Sequence, residues 1–401
     1  MQKSVYNRSR KGTIARLLGL SFIGAFILSI AVVIRHMLET PMKLESPLPG
    51  EAHYYKWKQG YIFYKVLGES KDPPLLLLHS PGLAASSFEM RKILEPLAQH
   101  YRVYAPDLLG FGISDHPTVD YSSETFIALC QDFLTDVVKQ PATIIASRLS
   151  CNYAVMVAIT TPHLCKRLVL ISPDNLAGKQ VQASILPTSI SEIFFGRTPR
   201  IFLQKASVQL LLYPLLSTQF MLRSTLRKLH SYSNDDDFEY YYASTHQIGA
   251  EHAYMALLSG KLNLDVTQQL ELIRQPTLVI WGAIGLNNSK HLESQHDLSW
   301  MKSNTRLALL PDAGLSVHEE QPGRTIATIL SWSEEDNAVI SAPANITIEI
   351  EAYCAKCKMK RKMLSPAEVT SKDGRPAIRG TCDVCGSNLH RFGRLKQQTL
   401  T

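Results

Sequence analysis

Two patterns of apolar residues alternate along this chain. The first is short and continuous: Leu75–Leu78, Tyr101–Ala105, Thr143–Ser147, Arg167–Ser172, Thr277–Trp281 and Thr305–Leu310. Runs of this length predict buried strands. The second is spread at helical spacing over about 86–99, 124–138, 148–160 and 319–333. Strands alternating with amphipathic helices predict an α/β fold: a mostly parallel, doubly wound sheet covered on both faces. Ahead of it, His53–Val66 reads as two short strands around Gln59-Gly60. The longest interruption, about 175–262, is rich in Leu, Tyr and Ser and predicts an inserted helical cap. Glu334–Ile348 is polar with Ala and Pro and reads as a linker.

Leu17–Ile34 fits neither pattern. It is 18 residues long without a charge. That predicts a membrane-spanning helix, since about 20 apolar residues cross a ~30 Å hydrocarbon core. A signal peptide has a shorter apolar core and a small-residue cleavage site, and neither is present here. Five basic residues precede the stretch, and only Arg35 and Lys43 follow it closely. The expectation is therefore a single-pass protein in a lipid bilayer with its N-terminus in the cytoplasm. The expected organisation is a basic N-terminus and anchor over 1–43, an α/β domain over 44–333, a linker over 334–349, and a small C-terminal domain over 350–401.

Charge adds to this picture. The 401 residues carry a net +7, but residues 1–43 carry +6, residues 350–401 carry +7, and the body between them carries −6. Basic ends suit anionic partners, and they equally suit a solvated surface. Of seven cysteines, Cys130, Cys151 and Cys165 lie among apolar residues and read as core. The other four form Cys354-Ala-Lys-Cys357 and Cys382-Asp-Val-Cys385, with 24 residues between the pairs. Two such knuckles complete a tetrahedron of thiolates, so Cys354, Cys357, Cys382 and Cys385 predict a structural zinc site. A disulfide pair is the alternative if this end of the chain is outside a reducing compartment. Gly386 follows the second pair, where a tight turn is expected. The segment has few large apolar side chains, so metal would supply much of its folding energy.

Four loops carry a further pattern, in order: Leu75–Gly82 (LLLLHSPG), Asp107–Ser114 (DLLGFGIS), Pro276–Gly282 (PTLVIWG) and Asp312–Pro322 (DAGLSVHEEQP). On these, residues 53–333 resemble the α/β-hydrolase superfamily, in its capped esterase- and lipase-like subset. Residues 352–394 resemble a small uncharacterised bacterial zinc-ribbon-like family. The first resemblance implies a serine nucleophile on a G-x-S-x-G elbow, an acid after the next-to-last strand and a histidine after the last.

The chain departs from that pattern at all three positions. Of Ser147, Arg148 and Ser150, only Arg148 has small residues two places away on both sides, Ala146 and Ser150. The acid position falls on Gly285 and the histidine position on Leu315; His318 aligns with a second, usually non-catalytic histidine. An arginine cannot attack a carbonyl. At the start of a helix, Arg148 with the Leu149 N–H can instead hold a carboxylate or phosphate, and His79 and Ser80 would line the same pocket. Alternatively, Arg148 pairs internally with Asp107 or Glu89. The expected role is non-hydrolytic binding of an acidic or apolar small molecule, or a scaffold. The alternative is a hydrolase of hydrophobic esters using Ser147 or Ser80 with His318 and an acid from another loop. Lys356, Lys358, Lys360, Arg361 and Lys362 make a basic run near the first knuckle. Nucleic acid is disfavoured as its partner, because the expected topology puts this end on the far side of the membrane.

Overall fold

The computed structural model describes residues 42–173, 206–229, 235–283, 301–335, 351–370, 376–382, 384–385 and 387–392. Two compact units divide the chain, Met1–Pro343 and Ala344–Thr401.

The first unit is built on eight strands: β1 (Glu51–Trp57), β2 (Gly60–Leu67), β3 (Pro74–Leu78), β4 (Arg102–Pro106), β5 (Ala142–Ser147), β6 (Cys165–Ile171), β7 (Thr277–Gly282) and β8 (Thr305–Leu310). Their order is β1-β2-β4-β3-β5-β6-β7-β8. The β1–β2 and β2–β4 pairs are antiparallel, and every pairing from β4 to β8 is parallel. The mostly parallel sheet of the α/β-hydrolase fold is therefore present. Its central strands show why the sequence reads as continuous apolar runs. Every residue of β5 and β7 is buried, because helices cover both faces of the sheet.

Helices Ser123–Phe133 and Ser150–Thr160 pack together beside β5. Ser122 caps the first, its hydroxyl accepting from the Thr125 N–H. Phe126 anchors the interface. It is wholly buried, and its ring stacks on Tyr153 at a centroid distance of 5.5 Å. Between β6 and β7 the described chain is helical, at Ala206–Leu216, Gln219–Leu229, Asp235–Thr245, Ala250–Leu258 and Thr267–Leu270. These helices lie mostly within the interval where a cap is expected.

The expectation of a single-pass membrane protein is corrected. Among the described residues no helix is long and apolar enough to cross a membrane. The longest, Pro322–Glu335, has 14 residues. That is about 21 Å of helix against a ~30 Å core. The stretch 17–34 that suggested a span lies outside the described residues.

The second unit is a four-stranded antiparallel sheet, β9 (Glu351–Cys354), β10 (Met359–Thr370), β11 (Pro376–Cys382) and β12 (Asn388–Phe392), in the order β12-β11-β10-β9. Its small core is Ala352, Cys354, Met363, Ile378, Cys382 and Leu389.

Truncating Phe126 should test the first unit's core. Phe126→Ala is expected to lower unfolding stability by about 3–5 kcal/mol in a denaturant titration. A loss below ~1 kcal/mol would mean the stack on Tyr153 is not part of the core.

Candidate functional site

Because β3, β5, β6, β7 and β8 run parallel, their C-terminal ends share one edge of the sheet. Open α/β sheets bind ligands at this edge. Each chain segment leaving it carries residues singled out in the sequence.

β5 ends at Ser147 and the next helix begins at Ser150, leaving two residues for the turn. Arg148 takes it with φ +47°, a left-handed conformation that costs a non-glycine residue about 1–2 kcal/mol. Ala146 and Ser150 on either side are fully buried. Ser150 Oγ donates to the His79 carbonyl at 2.6 Å, tying the turn to the end of β3. Arg148 itself is buried at 6% exposure. Leu149, also buried, stands at the N-cap of the helix.

His79 is a structural residue. Its Nε2 accepts from the Leu108 N–H at 2.9 Å, so the proton is on Nδ1, which faces the Ser80 carbonyl at 3.2 Å. Burial pushes its pKa down, against the opposing pull of Asp107 and Glu89. The Asp107–Ser114 loop is equally self-contained. Asp107 accepts from the Ser87 and Ile113 N–H groups at 2.6 and 2.7 Å. Gly112, at φ +57°, lies so close that an added Cβ would stand 2.2 Å from Asp107 Oδ2.

The centre of the site is a residue that sequence reasoning named only as a possible partner of Arg148. Glu89, on the short helix Ser87–Met90, has a side chain only 12% exposed. Its Oε2 accepts from the Ser80 N–H at 2.9 Å. Its Oε1 accepts from Ser147 Oγ at 2.5 Å and lies 3.2 Å from His318 Nε2. Burial alone would raise this carboxyl's pKa. The hydrogen bond and charge of His318, followed by Ser147 and His79, outweigh it and hold the group at about 2. Glu89 therefore engages Ser80, Ser147 and His318, while Asp107 is taken by backbone donors. Ser80 thus commits its N–H, and its hydroxyl lies 3.4 Å from the Pro81 carbonyl. Pro81, next in line, has no N–H to offer.

His318 is wholly buried in the turn Val317–Glu320. The loop before it is shaped by Glu320, which accepts from the Gly314 and Ser316 N–H groups at 2.7 and 3.3 Å. Leu315 is half-buried in that loop. Gly282, ending β7, must be glycine, because an added Cβ would stand 2.0 Å from the Gly314 carbonyl oxygen. Gly285 lies outside the described residues. A half-buried cation ties the helix Asp235–Thr245 to this region: Arg91 pairs with Glu319 at 2.6 Å and with Asp237 of that helix at 2.8 Å.

The site thus joins Ser147, Glu89 and His318 in the order hydroxyl, carboxylate, imidazole. A serine hydrolase needs hydroxyl, imidazole, carboxylate. No single-position signal marks Glu89. It is one acid in the stretch Leu83–Met90, otherwise small or apolar.

In the second unit, the ligand atoms of Cys354, Cys357, Cys382 and Cys385 all lie within 4.8 Å of one another. The Sγ–Sγ separation is 3.4 Å for Cys354–Cys385 and 3.9 Å for Cys357–Cys382. The Cys357 N–H points at Cys354 Sγ at 3.4 Å, and Lys358 closes this turn at φ +55°. Such a cluster can bind a metal ion. Gly386 lies outside the described residues.

The model of a domain of unknown function, DUF5679, matches residues 353–392. The model of the alpha/beta hydrolase family matches residues 75–328. An uncharacterized protein of Mycobacterium bovis is 36% identical over 113 residues, which is 28% of this chain and 32% of that protein. The 2-hydroxy-6-oxo-6-(2'-aminophenyl)hexa-2,4-dienoic acid hydrolase of Metapseudomonas resinovorans is 29% identical over 119 residues, 29% of this chain and 41% of the enzyme. These matches therefore span less than half of either relative. Among solved structures, the epoxide hydrolase CorEH without ligand superposes with a TM-score of 0.55 at 20% identity, covering 71% of this chain and 98% of that one.

The Glu89 carboxyl gives the fold a measurable acid limb. Held at about 2 against an ordinary value of 4.5, it contributes stability that is complete above 4.5 and is lost as pH falls toward 2. Glu89→Gln should remove that component from the pH dependence of unfolding between 5 and 2. It should also cost about 1–3 kcal/mol at pH 7, where a charge-assisted bond is lost. An unchanged acid limb would show that Glu89 is not ionised in this contact. With the strand order, the shared edge of loops and a match over residues 75–328 together, the chain belongs to the alpha/beta hydrolase family.

Proposed function

We propose that the first unit binds a small organic anion with an apolar body and does not hydrolyse esters. The observation that carries this reading is Arg148 at the positive-φ apex between β5 and its helix. An always-charged guanidinium stands where the resemblance calls for an attacking oxygen, at a helix N-terminus that favours anions. In the sequence, Gly285 and Leu315 stand where the acid and the histidine are expected, in keeping with the same reading. Leu149, at the N-cap, would add its N–H to the anion site. The name of the Metapseudomonas relative gives it a dienoic acid as substrate, a carboxylate at one end of a chain that ends in an aminophenyl ketone. That agrees with the ligand class proposed here.

A second reading is hydrolysis through Ser147, and its support is the close grouping of Ser147, Glu89 and His318. The chemistry weighs against it. A carboxylate held at about 2 is too weak a base to take a serine proton, and it stands between Ser147 and the imidazole.

A fluorophosphonate probe separates the two readings. The purified protein is expected to remain unlabelled. Benzoate or octanoate should raise its melting temperature by a few degrees, an effect lost in Arg148→Ala. Labelling that vanishes in both Ser147→Ala and His318→Ala would establish the hydrolytic reading instead.

For the second unit we propose structural Zn²⁺. Four thiolates at a Zn–S distance of about 2.3 Å sit about 3.8 Å apart, and the two separations given above, 3.4 and 3.9 Å, bracket that value. Among the described residues, none of the four cysteines is in a disulfide. Both separations far exceed a disulfide bond of about 2.05 Å. Elemental analysis should find one zinc per chain, lost in Cys382→Ser. A metal-free protein whose four thiols stay unreactive until reduced would identify disulfides instead.

A further inference from the structure

The sheet of the second unit has two unlike faces. One carries the buried cluster of Cys354, Met363, Ile378, Cys382 and Leu389. The other is open. Tyr353 is 62% exposed, and Lys360, Arg379 and His390 are exposed too. Register sets Tyr353 across from Lys360 and Arg379 across from His390. Lys356 and Lys358, also exposed, lie in and just after the first cysteine knuckle, next to Tyr353 along the chain. Residues 350–401 carry eleven Lys/Arg against four acids, while the body of the chain is net acidic. The positive charge is thus concentrated at the two ends of the chain, this unit being one of them.

We propose that this face binds single-stranded nucleic acid. Lys356, Lys358, Lys360 and Arg379 take phosphates, and a base stacks on Tyr353. Cations interleaved with an exposed aromatic ring are the combination that single strands require, since a ring can meet a base only where the base is unpaired. A duplex fits less well, because its bases are already stacked on one another and cannot lie on the Tyr353 ring.

The test uses the full-length chain and a fluorescently labelled 20-residue oligo-dT, with binding read by polarisation. Four neutralised phosphates predict a roughly 20- to 50-fold loss of affinity between 50 and 200 mM NaCl. Lys360→Glu with Arg379→Glu should weaken binding at least tenfold at 50 mM. Tyr353→Ala should weaken it at least fivefold and Tyr353→Phe should retain it. Lys71→Glu, an exposed lysine of the first unit, should change nothing. Melting curves for each variant separate lost binding from lost folding. Three results would overturn the proposal: no binding at 50 mM NaCl, a duplex of equal length bound as tightly, or Tyr353→Ala binding like wild type. Vesicles of phosphatidylglycerol that bind the chain and displace the oligonucleotide would assign the face to anionic headgroups instead.

Discussion

A strand buried on both faces that must become a helix within two residues is the constraint on which this site rests. β5 has no exposed residue, so its end cannot drift, and the helix from Ser150 is fixed against the sheet. The turn between them is forced into the left-handed region at Arg148. That strain is tolerated because burial of the strand and helix over-determines it. From this fixed point, Ser147 faces the carboxylate of Glu89, and Ser150 holds the loop after β3 through the His79 carbonyl.

Three segments far apart in sequence meet at Glu89. The bond to Ser147 spans 58 positions, and His318 is more distant still. The carboxylate is a cross-brace between the loop after β3, the end of β5 and the loop after β8. A buried charge persists only with donors on it, and here a backbone N–H, a hydroxyl and an imidazole share the task. His79 plays the same kind of role through neutral hydrogen bonds, as a spacer between β3 and the Asp107 loop.

The fold was legible because the parallel strands are compact apolar runs and the helices between them have their own period. The loops Asp107–Ser114 and Asp312–Pro322 were legible because glycines and carboxylates serve their own backbones there, as at Gly112 and Glu320. The small residues Ala146 and Ser150 marked the tight turn for a local reason. What could not be read was the partnership of Glu89 with Ser147 and His318, because no local spacing encodes it. His79 read as a pocket residue, whereas its ring is spent on backbone groups, a fact visible only in three dimensions. The single-pass expectation rested on the apolar length and basic flanks of residues 17–34, and no described helix carries it.

The Glu89 contact has a consequence for anything that enters this edge of the sheet. Its carboxylate is tethered, so it faces the Ser80, Ser147 and His318 donors at an effective concentration of millimolar or more. An incoming carboxylate at those donors meets a resident rival that never diffuses away. A guest anion of the kind proposed above would find those donors taken and would rest on Arg148 instead. The site is in this sense self-liganded.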